Sequence, residues 1–122
     1  MQEHLARLQD PDPYVRQRAA EALGWTGEAA ATPEVLRALL ERLREDEDKG
    51  VRRNAAEALG QMGKAAARPE VLQALAERLL QDESGRVREE AARALGRMGK
   101  TTATPEVLRA LSQCLRKDGD KS

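Results

Sequence analysis

"VRRNAAEALGQMGKAAARPEVLQAL", Val51 to Leu75, is the middle one of three near-identical stretches in this chain, the others opening at Val15 and Val87. The step from one to the next is 36 residues; Gly24, Gly60 and Gly96 keep it, as do Pro33, Pro69 and Pro105, with no insertion between them. A fixed period of this length marks a solenoid, in which one unit cannot bury its own apolar face and stacks on its neighbours.

Within the unit, Val51, Ala55, Ala58, Leu59 and Met62 recur at i, i+4, i+7, i+8 and i+11, the spacing of one helix face. Val71, Leu72, Leu75 and Leu79 form a second such face, so each unit reads as two amphipathic helices. Gly63 ends the first helix, where a left-handed residue is favoured, and Pro69 opens the second, where its fixed φ and missing N–H cost nothing. Thr32 and Thr104 precede that proline as N-caps; Arg68 in the middle unit does not, which predicts a weaker helix start there. The links "DEDKG" and "DESGR" are short and rich in turn formers, and Asp48 or Ser84 can cap the helix that follows. Gly60, inside the first helix, costs about 1 kcal/mol relative to alanine. With Ala56 one turn earlier it forms a small-residue strip, as do Ala20 with Gly24 and Ala92 with Gly96, and the neighbouring unit is expected to approach closely there.

Composition agrees with thin layers. Alanine and leucine dominate the apolar 40%, Phe is absent, and Trp25 and Tyr14 are the only aromatic residues, too little for one large globular centre or an aromatic ligand pocket. The 21 basic and 21 acidic side chains cancel, which argues against a general nucleic-acid binder, since such a protein needs excess Lys and Arg to displace counterions. No run of about 18 apolar residues exists, and "MQEHLARLQD" has neither a basic n-region nor an apolar stretch, so no membrane span or secretory signal is expected. Cys114 has no second cysteine to pair with, which fits a reducing, cytoplasmic setting.

The pattern "D-x-D-x-x-VR-x-x-A-A-x-A-L-G-x-x-G" followed by "PEVLxAL" resembles the HEAT-like (armadillo-type) repeats of the short bacterial and archaeal kind, found in bilin-lyase relatives and in the sensor arrays of some large signalling NTPases. The resemblance spans nearly the whole chain. It implies an all-α solenoid of helix pairs in one domain, with repeats at 15–50, 51–86 and 87–122 and a capping half-repeat at 1–14, in which residues 2–9 form a single second-type helix. It also implies a ladder between units, carried here by Asp10, Asp46 and Asp82 with Arg16, Arg52 and Arg88. The aromatic positions of tetratricopeptide repeats and the "TPLH" signal of ankyrin repeats are missing. Because the chain begins mid-unit and has no polar cap after "LRKDGDKS", it is expected to be a piece of a longer array, an engineered or amplified repeat, or a chain that covers its bare end by self-association.

Motifs for chemistry are few. "ALGRMGKT", Ala94 to Thr101, matches a relaxed phosphate loop, yet it aligns with "ALGQMGKA" and "ALGWTGEA" and ends an amphipathic helix, where the phosphate motif needs a strand, a loop and then a helix. His4 is the sole histidine and reads as a solvated helix residue, so neither the paired His–Glu metal sites of iron-binding relatives nor a Ser–His–Asp or Cys–His set can be assembled. No catalytic residue, metal or cofactor is therefore assigned. Cys114 takes the place of Arg42 and Arg78 and reads as a partly exposed thiol. Trp25 stands where Gln61 and Arg97 are polar and outward; it either anchors a partner or folds over the first seam near Tyr14 or the terminal helix.

In solenoids of the resembled kind the second helices usually line the concave side. The outward row is then Glu34, Arg37, Glu41 and Glu45, followed by Glu70, Gln73, Glu77 and Gln81, and by Glu106, Arg109, Gln113 and Lys117, with formal charges of −2, −2 and +1. The expected function is a non-catalytic protein–protein interaction scaffold that holds a basic or mixed-charge protein segment, with charge reversal at Glu41 and Glu77 weakening capture. Neither nucleic acid nor membrane is expected as partner. The alternatives are a self-assembling module joined through Val107, Leu111 and Leu115, and a bilin-lyase-like enzyme, for which no pocket or acid–base residue can be named.

Overall fold

The structure is a computed structural model that describes residues 2–99 and Arg109. Among them the chain forms α1 (Gln2–Arg7), α2 (Pro13–Thr26), α3 (Pro33–Glu45), α4 (Lys49–Met62), α5 (Pro69–Gln81) and α6 (Gly85–Met98), with 3-10 turns at Gly27–Ala30 and Gly63–Ala66 and no strand. One layer is α2, α4 and α6, with α4 packed between the other two; α3 and α5 lie side by side in a second layer. The result is an all-α repeat solenoid.

Packing is closest within the first layer, and between the layers it follows the acidic links: α3 on α4, α5 on α6, and α1 on α2. Physical distance along the chain explains this. Only residues 46–48 separate α3 from α4, whereas α2 reaches α3 through residues 27–32, which include a 3-10 turn. The apolar faces expected from the 36-residue repeat are the ones that sink into the core, since Val51, Ala55, Ala58, Leu59, Met62, Val71, Leu72, Leu75 and Leu79 are all buried. Leu8, just past α1, is fully buried too and joins the same core cluster.

Local chemistry sets the helix ends. The Asp48 carboxylate accepts from the amides of Gly50 and Val51, and the Ser84 hydroxyl from that of Val87. Thr32 accepts from the Val35 amide at 3.2 Å, while Arg68 makes no side-chain cap for α5. Arg68→Thr is therefore expected to raise stability by about 1 kcal/mol, read as an increase in urea midpoint; Arg68 is exposed, so nothing else is lost. At the other helix end the finding differs in kind from the expectation. Gly63 has φ 58° and ψ −134°, a positive-φ region open only to glycine but not the left-handed helical one, because α4 runs directly into the 3-10 turn that sends the chain toward α5.

Gly60 bears out the close approach. A Cβ placed on it would lie 2.9 Å from the Ala94 Cα and 3.0 Å from the Ala94 Cβ, so α4 and α6 meet almost backbone to backbone. Gly24 faces the Ala58 Cα at 3.0 Å in the same way. At Gly24 and Gly60 the strip is thus a seam, the glycine of one unit seated on an alanine of the next; at Gly96, contrary to the expectation for all three strips, nothing among the described residues lies within 4 Å of a Cβ position.

Candidate interaction surfaces

The loops at 46–48 and 82–84 carry buried acids. Asp46 bends back so that its Oδ1 accepts from the Asp48 amide at 2.9 Å. The Arg16 fork from the start of α2 then closes on it, Nε donating to Oδ2 at 2.8 Å and Nη2 to Oδ1 at 3.1 Å, with Arg42 Nη1 adding a third approach at 3.2 Å. The remaining Arg16 nitrogen, Nη1, donates to the carbonyls of Asp10 and Pro11, which ties its own upstream loop to the downstream one. One unit later Arg52 repeats this on Asp82 at 2.9 and 3.1 Å, with Nη1 on the Asp46 carbonyl. The two end members differ. Asp10 accepts from the Asp12 amide, and Arg88 Nη1 donates to the Asp82 carbonyl. The arginine thus reaches forward, pairing not with the aspartate of its own link but with the one 30 residues on.

Burial acts to raise the Asp46 carboxyl, but the Arg16 fork, the Asp48 amide and the charges of Arg16 and Arg42 outweigh it, and the pKa falls below the usual carboxylate value. Asp82 is lowered in the same balance, with Arg52, the Ser84 amide and Arg78 in those roles. A carboxylate whose folded-state pKa is depressed contributes stability that is complete above its unfolded value, about 3.9. That contribution disappears as pH falls through the folded value. The urea midpoint is expected to stay flat from pH 7 to about pH 5 and to drop below about pH 4, and the drop should be shallower in Asp46→Asn/Asp82→Asn. Equal slopes for the two proteins would dissociate these acids from the acid transition.

The outward row of the second helices is exposed at Glu34, Arg37, Glu41 and Glu45 on α3 and at Glu70, Gln73 and Gln81 on α5; Glu77 is half-buried. Arg109 is helical and exposed, while Glu106, Gln113 and Lys117, the assembly face of Val107, Leu111 and Leu115, and Cys114 lie outside the described residues. Two members of the row are engaged: Glu41 with Arg42 at 2.7 Å, and Glu77 with Arg44 of α3 at 3.7 Å. Glu34, Glu45 and Glu70 have no ion-pair partner among the described residues, unlike Glu41 and Glu77.

Trp25 is 81% exposed and Tyr14 is 62% exposed, so the indole does not fold over a seam. The Arg18 guanidinium lies 5.8 Å from the centroid of the Tyr14 ring. His4 is not solvated as expected: it is half-buried, with Nδ1 enclosed and without a hydrogen-bond partner, because α1 turns it into a cleft of about 370 Å³ against Tyr14, Val15 and Arg18 of α2.

A groove of about 1330 Å³, unforeseen in the sequence, opens at the N-terminal ends of α4 and α6. Asp48, Lys49, Arg53, Glu83, Arg86 and Glu89 give it a mixed-charge lining. No periodic signal marks it, since it exists only where two successive helix starts are set side by side. Of "ALGRMGKT", Ala94 to Met98 end α6 and Gly99 is its cap, so the described part is a helix terminus. Among the described residues no group of three or more His, Cys, Asp and Glu is placed to hold a metal ion, and no helix is long and apolar enough to cross a membrane.

The family model for HEAT repeats matches residues 2–80 and, in a second overlapping match, 36–122. Comparison with curated proteins gives no match. Stacked helix pairs, a forward Arg-to-Asp ladder and a match over nearly every residue converge: the chain belongs to the HEAT-repeat family.

Proposed function

We propose that this protein is a non-catalytic interaction scaffold that holds a basic or mixed-charge protein segment along the outward row of α3 and α5. HEAT repeats are generally protein-interaction scaffolds and typically non-catalytic, which supplies the broad class. The observation that carries the finer reading is the exposed row itself. Three acids, Glu34, Glu45 and Glu70, face outward on two successive helices with no cation of this chain neutralising them among the described residues. Isolated charges on a helix face are weakly informative, but a row repeated at the solenoid step places them in line for an extended segment.

The test uses a fluorescein-labelled peptide of alternating lysine and serine and follows its anisotropy. Glu45→Lys/Glu70→Lys is expected to weaken binding on the order of tenfold, and added salt should weaken the wild-type complex. Arg53→Glu, in the groove at the helix starts, should leave binding unchanged. Affinity that ignores the double reversal and follows Arg53 instead would move the site to that groove and sink the proposal.

A further inference from the structure

Two ladders run through the first layer, and each ends in a residue without its mate. In one, the side chain at the Gln61 position covers the glycine of the preceding helix. Gln61 Oε1 occupies the space a Cβ on Gly24 would take, and Arg97 Cδ comes within 3.6 Å of the corresponding point on Gly60. Trp25 holds this covering position in α2, and it stands in solvent. Gly96 holds the glycine position in α6; it is exposed, and among the described residues nothing lies within 4 Å of where its Cβ would be. Among the described residues, then, the glycine of α6 lacks the cover that Gly24 and Gly60 have, and the indole of α2 lacks the glycine that Gln61 and Arg97 cover.

The second ladder points the same way. Arg16 takes Asp46 and Arg52 takes Asp82, which leaves Asp10 as the acid without an arginine fork among the described residues and Arg88 as the next arginine in step. Asp118 is in register for Arg88 but lies outside the described residues, so the glycine and the indole carry the inference.

The flanks are complementary as well. Tyr14, Arg18, Ala22 and Trp25, at i, i+4, i+8 and i+11, share one face of α2. At the internal seam, Asn54, the Arg18 equivalent, donates to the backbone carbonyl of Gln17. Glu89 holds the Gln17 position in α6, so stacking in the same register sets Arg18 beside Glu89. On their own helices Arg18 has a 3.9 Å contact with Glu21 and lies 5.8 Å from the Tyr14 ring centroid, and Glu89 has a 3.9 Å contact with Arg93; all three contacts are exposed.

We infer that the α2 face centred on Trp25 docks on the α6 face centred on Gly96 of a second copy of this chain, head to tail and in the register of the internal seams. Joining unlike faces leaves one of each unused on the pair, so further copies add until the rotation closes a ring or the row runs on. This surface differs from the acidic row of α3 and α5 and from the face of Val107, Leu111 and Leu115.

Light scattering and Trp25 emission, followed together across a dilution series, test it, because the protein has a single tryptophan. The mass is expected to climb above the 13.4 kDa of one chain with concentration while the emission shifts to the blue. Trp25→Ala and Gly96→Leu, both at exposed positions, should each weaken association on the order of tenfold or more with unchanged helical circular dichroism. Mixed in equal amounts, the two variants should form a dimer and stop, since one intact pair of unlike faces remains between them. A mass of one chain at every concentration with unshifted emission overturns the inference. So does a Gly96→Leu protein that assembles like the wild type, or assembly that is lost on Leu111→Glu while the emission never moves.

Discussion

Asp46→Ala is expected to cost about 3–5 kcal/mol of folding stability, the penalty for stranding one partner of a buried ion pair. The Asp46 side chain is fully buried and that of Arg16 is only 9% exposed, so the guanidinium left behind has little access to water. The same change removes the acceptor for the Asp48 amide, and with it the geometry that puts Asp48 in place to cap α4. Asp46→Asn keeps that acceptor and removes only the charge, so it should fall between alanine and the wild type.

Asp10→Ala is the control. It loses the same backbone bend but no arginine fork among the described residues, and should cost about 1 kcal/mol. Urea unfolding of the three variants decides the matter, and equal losses for Asp46→Ala and Asp10→Ala would show that the fork contributes nothing. A double cycle with Arg16→Met adds a second reading. Removing both partners should cost less than the sum of the two single losses, because no unpaired charge then remains in the seam.

Gly60→Ala carries the second large effect, and its sign is opposite to that at the equivalent Gly96. Alanine in a helix interior is favoured over glycine by about 1 kcal/mol. At Gly60 that gain meets the Ala94 Cα 2.9 Å from the new methyl, and since the obstruction is backbone, α4 and α6 must separate. Overpacking of this kind costs about 1–3 kcal/mol, so a net loss is expected. At Gly96 nothing described stands in the way, and Gly96→Ala should stabilise by up to about 1 kcal/mol. Gly24→Ala should lie between them, because part of what it meets is the movable end of Gln61, although the Ala58 Cα is 3.0 Å away. Thermal unfolding at concentrations where the protein is monomeric ranks the three. A stabilised Gly60→Ala protein would mean that the seam has slack the geometry does not show.

Much of this fold was legible because its determinants act within one or two helical turns. The apolar spacing of Val51 to Met62, the caps at Asp48, Ser84 and Thr32, and the missing cap at Arg68 all depend on neighbours in the chain, and each appears where the pattern put it. Gly60 was legible for a different reason. A glycine in a helix interior is a local cost, and a cost repeated at the same step in every unit indicates a contact that requires it.

What the tertiary structure alone decided is which particular side chains meet, above all across the 30 positions that separate Arg16 from Asp46. The resemblance brought Asp and Arg together as a ladder, but only the stacked loops show that Arg16 skips Asp10 and reaches Asp46. Likewise Glu41 and Glu77 looked as free as Glu45 and Glu70 until α3 and α5 set Arg44 against Glu77 and Arg42 folded onto Glu41. His4 looked solvated until α1 leaned on α2, and the groove at the starts of α4 and α6 belongs to no single stretch of chain. Periodicity constrains rotation about a helix axis, which settles which face is buried. The offset and direction of one helix against the next are settled by side-chain fit across the seam, and these decide which charges meet and which remain open.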